Sequence, residues 1–495
     1  MKGTANMIFL YVFLALLGLF IAITLVRAIF FVPKKRDLAP LEKENVDVDR
    51  YRKHLSEAIR IKTVSYVDRD KVDWAEFEKF KNFLLTEYPN LKNKLTLEII
   101  GKSNLVFRWK GKDSSLDPIA LLSHQDVVPV ESGTEGDWEH PAFDGVDDGE
   151  YIWGRGALDM KNHLIAVVEA VETLLEENFE PERDVYLLFG ENEEVMSTTD
   201  SGAMLIAKHF EEKGIHFDSV IDEGGAMLPI NIKGVLENKY LAGVGVAEKG
   251  YADYEVSVKS KGGHSSQPPN HTAVGKLADV IKDIEKHQFK STITPSVFKL
   301  FTSIGKNCTY PVRIFACNLW LLKPIVKAIM KRIPPAASLI RSTTGITMAK
   351  GSPTANVLPQ IASVTANFRM MPGTSLKDVE THIRKVVRNK DIEVALLKGK
   401  EPSKFSPTDS RTFKIIEELS TRNDENIIIA PFLVMGGTDA CHYQNVCENI
   451  YRFAPFKVST QLLLTTHSTN ERLPVACIEE SVSFFKRYIR LASQG

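Results

Sequence analysis

Four clusters of acidic residues and histidine each follow directly on a short apolar run, and this arrangement constrains the fold more than any other feature of the chain. Ser123-His124-Gln125-Asp126 follows Pro118–Leu122, and Gly154-Arg155-Gly156-Ala157-Leu158-Asp159 follows Tyr151–Trp153. Glu191-Asn192-Glu193-Glu194 follows Val185–Phe189, and Asp222-Glu223-Gly224-Gly225 follows Ser219–Ile221. Apolar runs of this length read as buried strands. In an open α/β sheet the carboxyl ends of such strands converge on one crevice, where ligands bind. Carboxylates gathered there repel one another unless a cation compensates. The pattern therefore predicts an enzyme with a metal site, and two metals suit the number of ligands.

A chain of 495 residues exceeds one ordinary core and predicts two soluble domains plus extras. Apolar content of 44% and charged content of 25% are those of a globular protein. A net charge of −1 leaves no basic surplus for phosphates, so nucleic acid is not an expected partner. Cys308, Cys317, Cys441, Cys447 and Cys477 contain no Cys-x-x-Cys pair. They form neither a zinc ribbon nor a disulfide scaffold; one or two bridges fit, and the odd count leaves at least one thiol unpaired within the chain.

Met7–Val26 is free of charge and apolar over the length a helix needs to cross a bilayer, with Arg27, Lys34, Lys35 and Arg36 behind it. The expectation is an uncleaved anchor, with a cleaved signal segment as the alternative. The flanking basic residues favour a cytoplasmic carboxyl domain. Two glycosylation acceptors, Asn270-His-Thr272 and Asn307-Cys-Thr309, point to the lumenal or extracellular side.

Residues 1–40 thus read as anchor and stalk. From 41 to 238 helices alternate with strands, as for a mixed sheet covered by helices. Segments between 239 and 397 follow the order β-α-β-β-α-β, which predicts a small ferredoxin-like α+β lid inserted into the first domain. Residues 398–495 return to the catalytic domain. Within the lid, about 288–343 form an unusual apolar and basic insertion, expected as a helical hairpin packed on the lid, with a greasy substrate lining or a dimer or membrane contact as alternatives.

Taken singly, each cluster has a plain structural explanation: a surface His-Asp pair, an N-cap aspartate, a solvated acidic loop. Four coincidences at strand ends are a different matter. Ser-His-x-Asp-Val-Val-Pro-Val (123–130), Gly-Arg-Gly-Ala-Leu-Asp-Met-Lys (154–161), Glu-Asn-Glu-Glu-Val (191–195) and Asp-Glu-Gly-Gly (222–225) resemble the zinc metallopeptidase family of aminoacylase, carboxypeptidase S and bacterial glutamate carboxypeptidase. The resemblance continues through Gly-Gly-His-Ser-Ser (262–266), Asn-Val-Leu-Pro (356–359), Asn-Phe-Arg (367–369), Gly-Gly-Thr-Asp-Ala (436–440) and His-Ser-Thr-Asn-Glu (467–471). It is greatest for the carboxypeptidase S and N-fatty-acyl-amino-acid synthase/hydrolase branch.

This resemblance implies a zinc-exopeptidase-like catalytic domain holding two zinc ions per subunit. Asp159 would bridge them, His124 and Asp222 would complete one site, and Glu194 and His467 the other. Glu193 would be the general base, Asp126 the partner of His124, and His264 the lid residue that polarises the scissile carbonyl, in many relatives across a homodimer. Asn356, Arg369, Gly436 and Gly437 would bind the substrate's backbone and free carboxylate. Asn192 departs from the aspartate common before the paired glutamates, at a position that is not a ligand. The implied activity is amide cleavage, and in reverse amide formation, on N-acyl amino acids. A carboxypeptidase or dipeptidase acting on short peptides is the runner-up. A catalytically silent binding protein or a single-span receptor would not need this ligand set.

Overall fold

The computed structural model describes residues 2–33, 39–195, 201–422 and 424–495, with side chains from residue 6 onward. Lys34, Lys35 and Arg36, expected to flank the apolar segment, lie outside the described residues.

The apolar runs become the centre of a nine-stranded mixed sheet. Its strands lie in the order Thr96–Ile100, Asn104–Trp109, Val185–Gly190, Ile119–His124, Ser219–Asp222, Ile450–Arg452, Leu236–Glu248 and Ile427–Val434, with Met227–Ile232 alongside Leu236–Glu248. Val185–Gly190, Ile119–His124 and Ser219–Asp222 are neighbours and run parallel. They are buried on both faces, as continuous rather than alternating apolar runs require. Helix Lys161–Glu176 covers one face with an almost wholly buried surface. It is sealed by Ile478–Ala492 and Val48–Arg60 into the main core. Three clusters thus end side by side at one rim.

A second, four-stranded antiparallel sheet comprises Thr343–Lys350, Ile361–Met370, Gly250–Lys259 and Ile392–Lys400. Helices Ala273–Lys286 and Leu376–Val386 bury their apolar faces against it. This is the expected ferredoxin-like layer, and the fold is α/β with an inserted α+β lid. The seam at 239 falls inside strand Leu236–Glu248, which pairs in parallel with Ile427–Val434 in the large sheet. The chain therefore leaves that sheet at Lys249, the single residue before the next strand, Gly250–Lys259, which belongs to the lid sheet.

The insertion is helical, as expected, but it does not rest on the lid. Its helices are Pro295–Lys306, Tyr310–Cys317, Leu319–Met330 and Pro334–Ser338. The first packs on strand Ile427–Val434 of the large sheet, with Ile304, Cys308 and Val312 against Leu236 and Ile428. The second packs on the amino-terminal helix Lys2–Phe30. All five cysteines are buried and free, so no bridge forms.

A candidate two-metal centre

Asp159 reaches the rim through a turn that only glycines permit. Gly154 (φ 143°) and Gly156 (φ 90°) occupy backbone conformations that L side chains rarely adopt. A Cβ on Gly154 would lie 2.4 Å from Ile59, and one on Gly156 2.8 Å from Val127. The loop hangs on Glu471, a fully buried carboxylate that accepts the amides of Gly156 (3.1 Å), Leu158 (2.8 Å) and Asp159 (3.1 Å) and pairs with Arg155 (2.7 Å). The peptide bond between Asp159 and Met160 is cis.

The Asp159 carboxylate is shared. Its Oδ1 lies 3.1 Å from His124 Nε2, which is also 3.3 Å from Glu223 Oε1. Its Oδ2 lies 3.0 Å from His467 Nε2, which is 2.8 Å from Glu194 Oε2. Two groups of three donor atoms, His124-Asp159-Glu223 and Asp159-Glu194-His467, each lie within 4.8 Å of one another. Imidazole nitrogens and carboxylate oxygens are the donor set of catalytic zinc. Glu194 Oε1 is buried without a hydrogen-bond partner among the described residues, as a donor atom awaiting a cation is. The residues fit a metal.

The model of peptidase family M20/M25/M40 matches residues 120–491. The chain belongs to that family. It is a metal-dependent hydrolase. A probable carboxypeptidase S-like protein of Dictyostelium discoideum is 36% identical over 442 residues, covering 88% of this chain and 84% of that protein. The N-fatty-acyl-amino acid synthase/hydrolase of Mus musculus is 30% identical over 489 residues, covering 94% of each. Among solved structures, an M20 family metallo-carboxypeptidase from Sulfolobus solfataricus superposes with a TM-score of 0.62 at 18% identity, covering 90% of this chain and 99% of that one. That likeness establishes the fold.

The geometry departs from the sequence expectation first at the acid facing His124. Glu223, not Asp222, faces His124. Successive residues at a strand end point to opposite sides, so the two acids cannot both reach the crevice. Asp222 turns inward, where its oxygens accept the amides of Glu223 (2.9 Å) and Ala440 (2.7 Å). The expected pairing of Asp126 with His124 takes a different form as well. His124 Nδ1 is 2.9 Å from the backbone oxygen of Asp126 and 3.6 Å from its carboxylate. That carboxylate instead accepts the amides of Glu193 (3.2 Å) and Glu194 (3.3 Å), fixing the acidic turn.

Electrostatics follow the crowding. Burial and the neighbouring acids Glu223, Asp439 and Glu194 push the Glu193 carboxyl well above its usual range. Burial and Asp159 push Glu194 up to about 7 and Glu223 well above normal. Hydrogen bonds to Asp159 and Glu194 raise His467 to about 10. Burial opposes ionisation of Asp159, yet His124 and His467 hold it below the carboxylate range. Binding a cation there would displace a proton from each histidine.

The remaining predicted residues lie elsewhere. His264 is exposed on a two-stranded ribbon, Gly263–His264 with Val357–Leu358, and its Nδ1 is 2.8 Å from Ser266 Oγ. The same ribbon holds Asn356, whose carbonyl accepts the Ser265 amide. Arg369 is half-buried on the lid sheet with its guanidinium 4.8 Å from the Tyr251 ring. Gly436 and Gly437 follow strand Ile427–Val434, with Gly437 beside Lys400 and Glu248. Asn270 is exposed; Asn307 is half-buried, its amide donating to the Ser303 carbonyl. Sequence reasoning gave no role to Glu223, Glu471 or Arg155, although each stands inside a motif it quoted. Motifs name the acids; only side-chain direction says which one faces the crevice.

Proposed function

We propose that the protein is a di-zinc amidohydrolase that cleaves N-acyl amino acids at the amide bond beside a free carboxylate. The observation that carries this reading is the Asp159 carboxylate shared between two three-donor clusters. The acyl-amino-acid substrate is supported by the mouse relative named N-fatty-acyl-amino acid synthase/hydrolase.

In this reading His124, Asp159 and Glu223 hold one zinc and Asp159, Glu194 and His467 the other. Bound zinc lowers the pKa of water and so supplies hydroxide at neutral pH. Glu193, on the turn clamped by Asp126, takes the proton from the attacking water and returns it to the leaving amine. His264 donates to the developing oxyanion once the lid, or the lid of a second copy in a homodimer, brings it over the crevice. Arg369, a planar fork of donors, receives the substrate carboxylate. Asn356 and the Gly436-Gly437 turn align its backbone. The same groups serve the reverse condensation. Catalytic residues 41–248 and 398–495 form one unit and the lid another. The segment Met7–Val26 anchors the enzyme in a membrane with its active domain on the lumenal or extracellular side.

The name of the Dictyostelium relative favours a second reading, carboxypeptidase action on short peptides. Full-length protein loaded with zinc, assayed against N-oleoyl amino acids and N-blocked dipeptides, separates the two. The expected outcome is amino-acid release from the acylated panel, reduced about 10²–10⁴-fold in Glu193→Gln with metal content unchanged. Cleavage of dipeptides alone would assign the enzyme to peptides.

A further inference from the structure

The insertion Pro295–Ile340 carries seven Lys or Arg and no Asp or Glu, in a chain whose net charge is −1. Its third helix, Leu319–Met330, buries Leu319 and Met330 against the body. The opposite side is bare: Leu321, Ile325 and Ile329 recur every four residues on one face, Ile325 58% and Ile329 54% exposed, with Trp320 and Phe315 beside them. Lys323 and Lys327, each two residues from members of that stripe, project from the other side of the helix, and Lys331 and Arg332 follow at its end. A bare apolar stripe on a helix whose charges are all cationic is what an interfacial helix presents to acyl chains and headgroups.

The neighbour of this face identifies its occupant. The amino-terminal helix is apolar over Asn6–Phe30 (mean hydropathy 2.8), and none of its most apolar window is buried inside the protein. Among the described residues the insertion meets it near its carboxyl end. Tyr310 Oη donates to the Leu25 carbonyl (3.1 Å), Asn318 Nδ2 to the Thr24 carbonyl (3.3 Å), and Arg27 to the Cys317 carbonyl (3.3 Å). The Arg27 guanidinium lies 6.0 Å from the Trp320 ring, and the Lys306 ammonium 5.7 Å from the Phe31 ring. From Thr24 to Phe30 the helix rises about 9 Å, which matches the roughly 5–10 Å depth of an interfacial helix.

We infer that the insertion is a membrane-docking element: its bare apolar face lies in the headgroup boundary of the bilayer crossed by the amino-terminal helix, and its lysines and arginines reach the lipid phosphates. This rests on reading Met7–Val26 as a span. A soluble partner would leave the tie to Thr24, Leu25 and Arg27 without purpose, and a second copy of the same face would set like charges against one another. Because Lys249, at the seam between the two sheets, donates to the carbonyls of Ser338 and Arg341 at the insertion's end (both 2.9 Å), docking also holds the root of the lid at the membrane surface.

The test uses full-length protein in vesicles of phosphatidylcholine and phosphatidylglycerol whose chains are brominated near the headgroup or near the chain ends. Headgroup-proximal bromine is expected to quench a component of the tryptophan emission, and that component is lost in Trp320→Phe. The other four tryptophans lie in the catalytic body and serve as the unquenched background. A Leu17→Trp reporter, quenched by bromine near the chain ends, reports on the span itself. Quenching of Leu17→Trp without a Trp320 component would overturn the docking and leave the anchor standing. Absence of quenching at Leu17→Trp would overturn the span and the docking with it. Trp320 emission that responds to protein concentration but not to bromine would assign the face to a second copy and overturn the proposal equally.

Discussion

At the scale of single residues, direction matters more than identity. Asp222 and Glu223 are adjacent acids after the same strand, and the backbone's alternation sends one to two inward amides and the other to His124. Glu223→Gln is therefore expected to empty one of two metal positions while the Asp159-Glu194-His467 group keeps its own. Metal analysis of the purified variant, with about half the wild-type content, checks this. His163 is another buried group that no motif marks. It packs 4.9 Å from the Phe485 ring, and neither ring nitrogen has a hydrogen-bond partner among the described residues. Burial lowers its pKa to about 3. The unfolded chain takes up this proton first, near pH 6.5, so the stability contributed by the neutral imidazole is full above that value and lost as pH falls toward 3. Over that window His163→Leu should make the loss of stability with acidification shallower by about 1.4 kcal/mol per pH unit. Urea unfolding at a series of pH values reads the slope.

At the scale of elements, the chemistry depends on what holds each loop. The Asp159 loop is suspended from the Glu471 carboxylate, 312 residues away in sequence, with further backbone ties from Gly154 to Glu471 and from Arg155 to Ala142. Glu471→Ala leaves every proposed ligand in place and frees the loop. The expectation is a loss of about 10–100-fold in metal affinity, measured by competition with a chromogenic chelator. Element identity itself was largely legible. The strands before each cluster, and the β-α-β-β-α-β order of the lid, stand where apolar periodicity puts them. The helical insertion was legible as helix but not in its location. Periodicity reports that a face is apolar, not which surface covers it.

At the scale of the whole molecule, the site joins distant parts of the chain: His124 from a central strand, Asp159 from a glycine turn, His467 from a loop near the carboxyl end. Cations held by the two groups that share Asp159 tie folding to metal. Stripping the protein with a chelator should lower its unfolding midpoint, and zinc at about a hundredfold excess over its Kd should restore about 2.7 kcal/mol for each position filled. Calorimetry of the stripped and reloaded protein measures both. The lid residues His264 and Arg369 sit on a separate sheet, so their alignment with the crevice is a property of how two sheets meet and not of any local segment.

The sequence by itself determined the fold class, the family and the residue types of the site, because buried strands, glycine turns and clustered carboxylates leave local patterns that read without coordinates. Only the tertiary structure decided that Glu223 rather than Asp222 faces His124, that Glu471 carries the Asp159 loop, and that the apolar insertion leans on the amino-terminal helix. Each of those depends on where a side chain points or which surface lies opposite it. That information arises only when segments far apart in the chain are brought within a few ångströms.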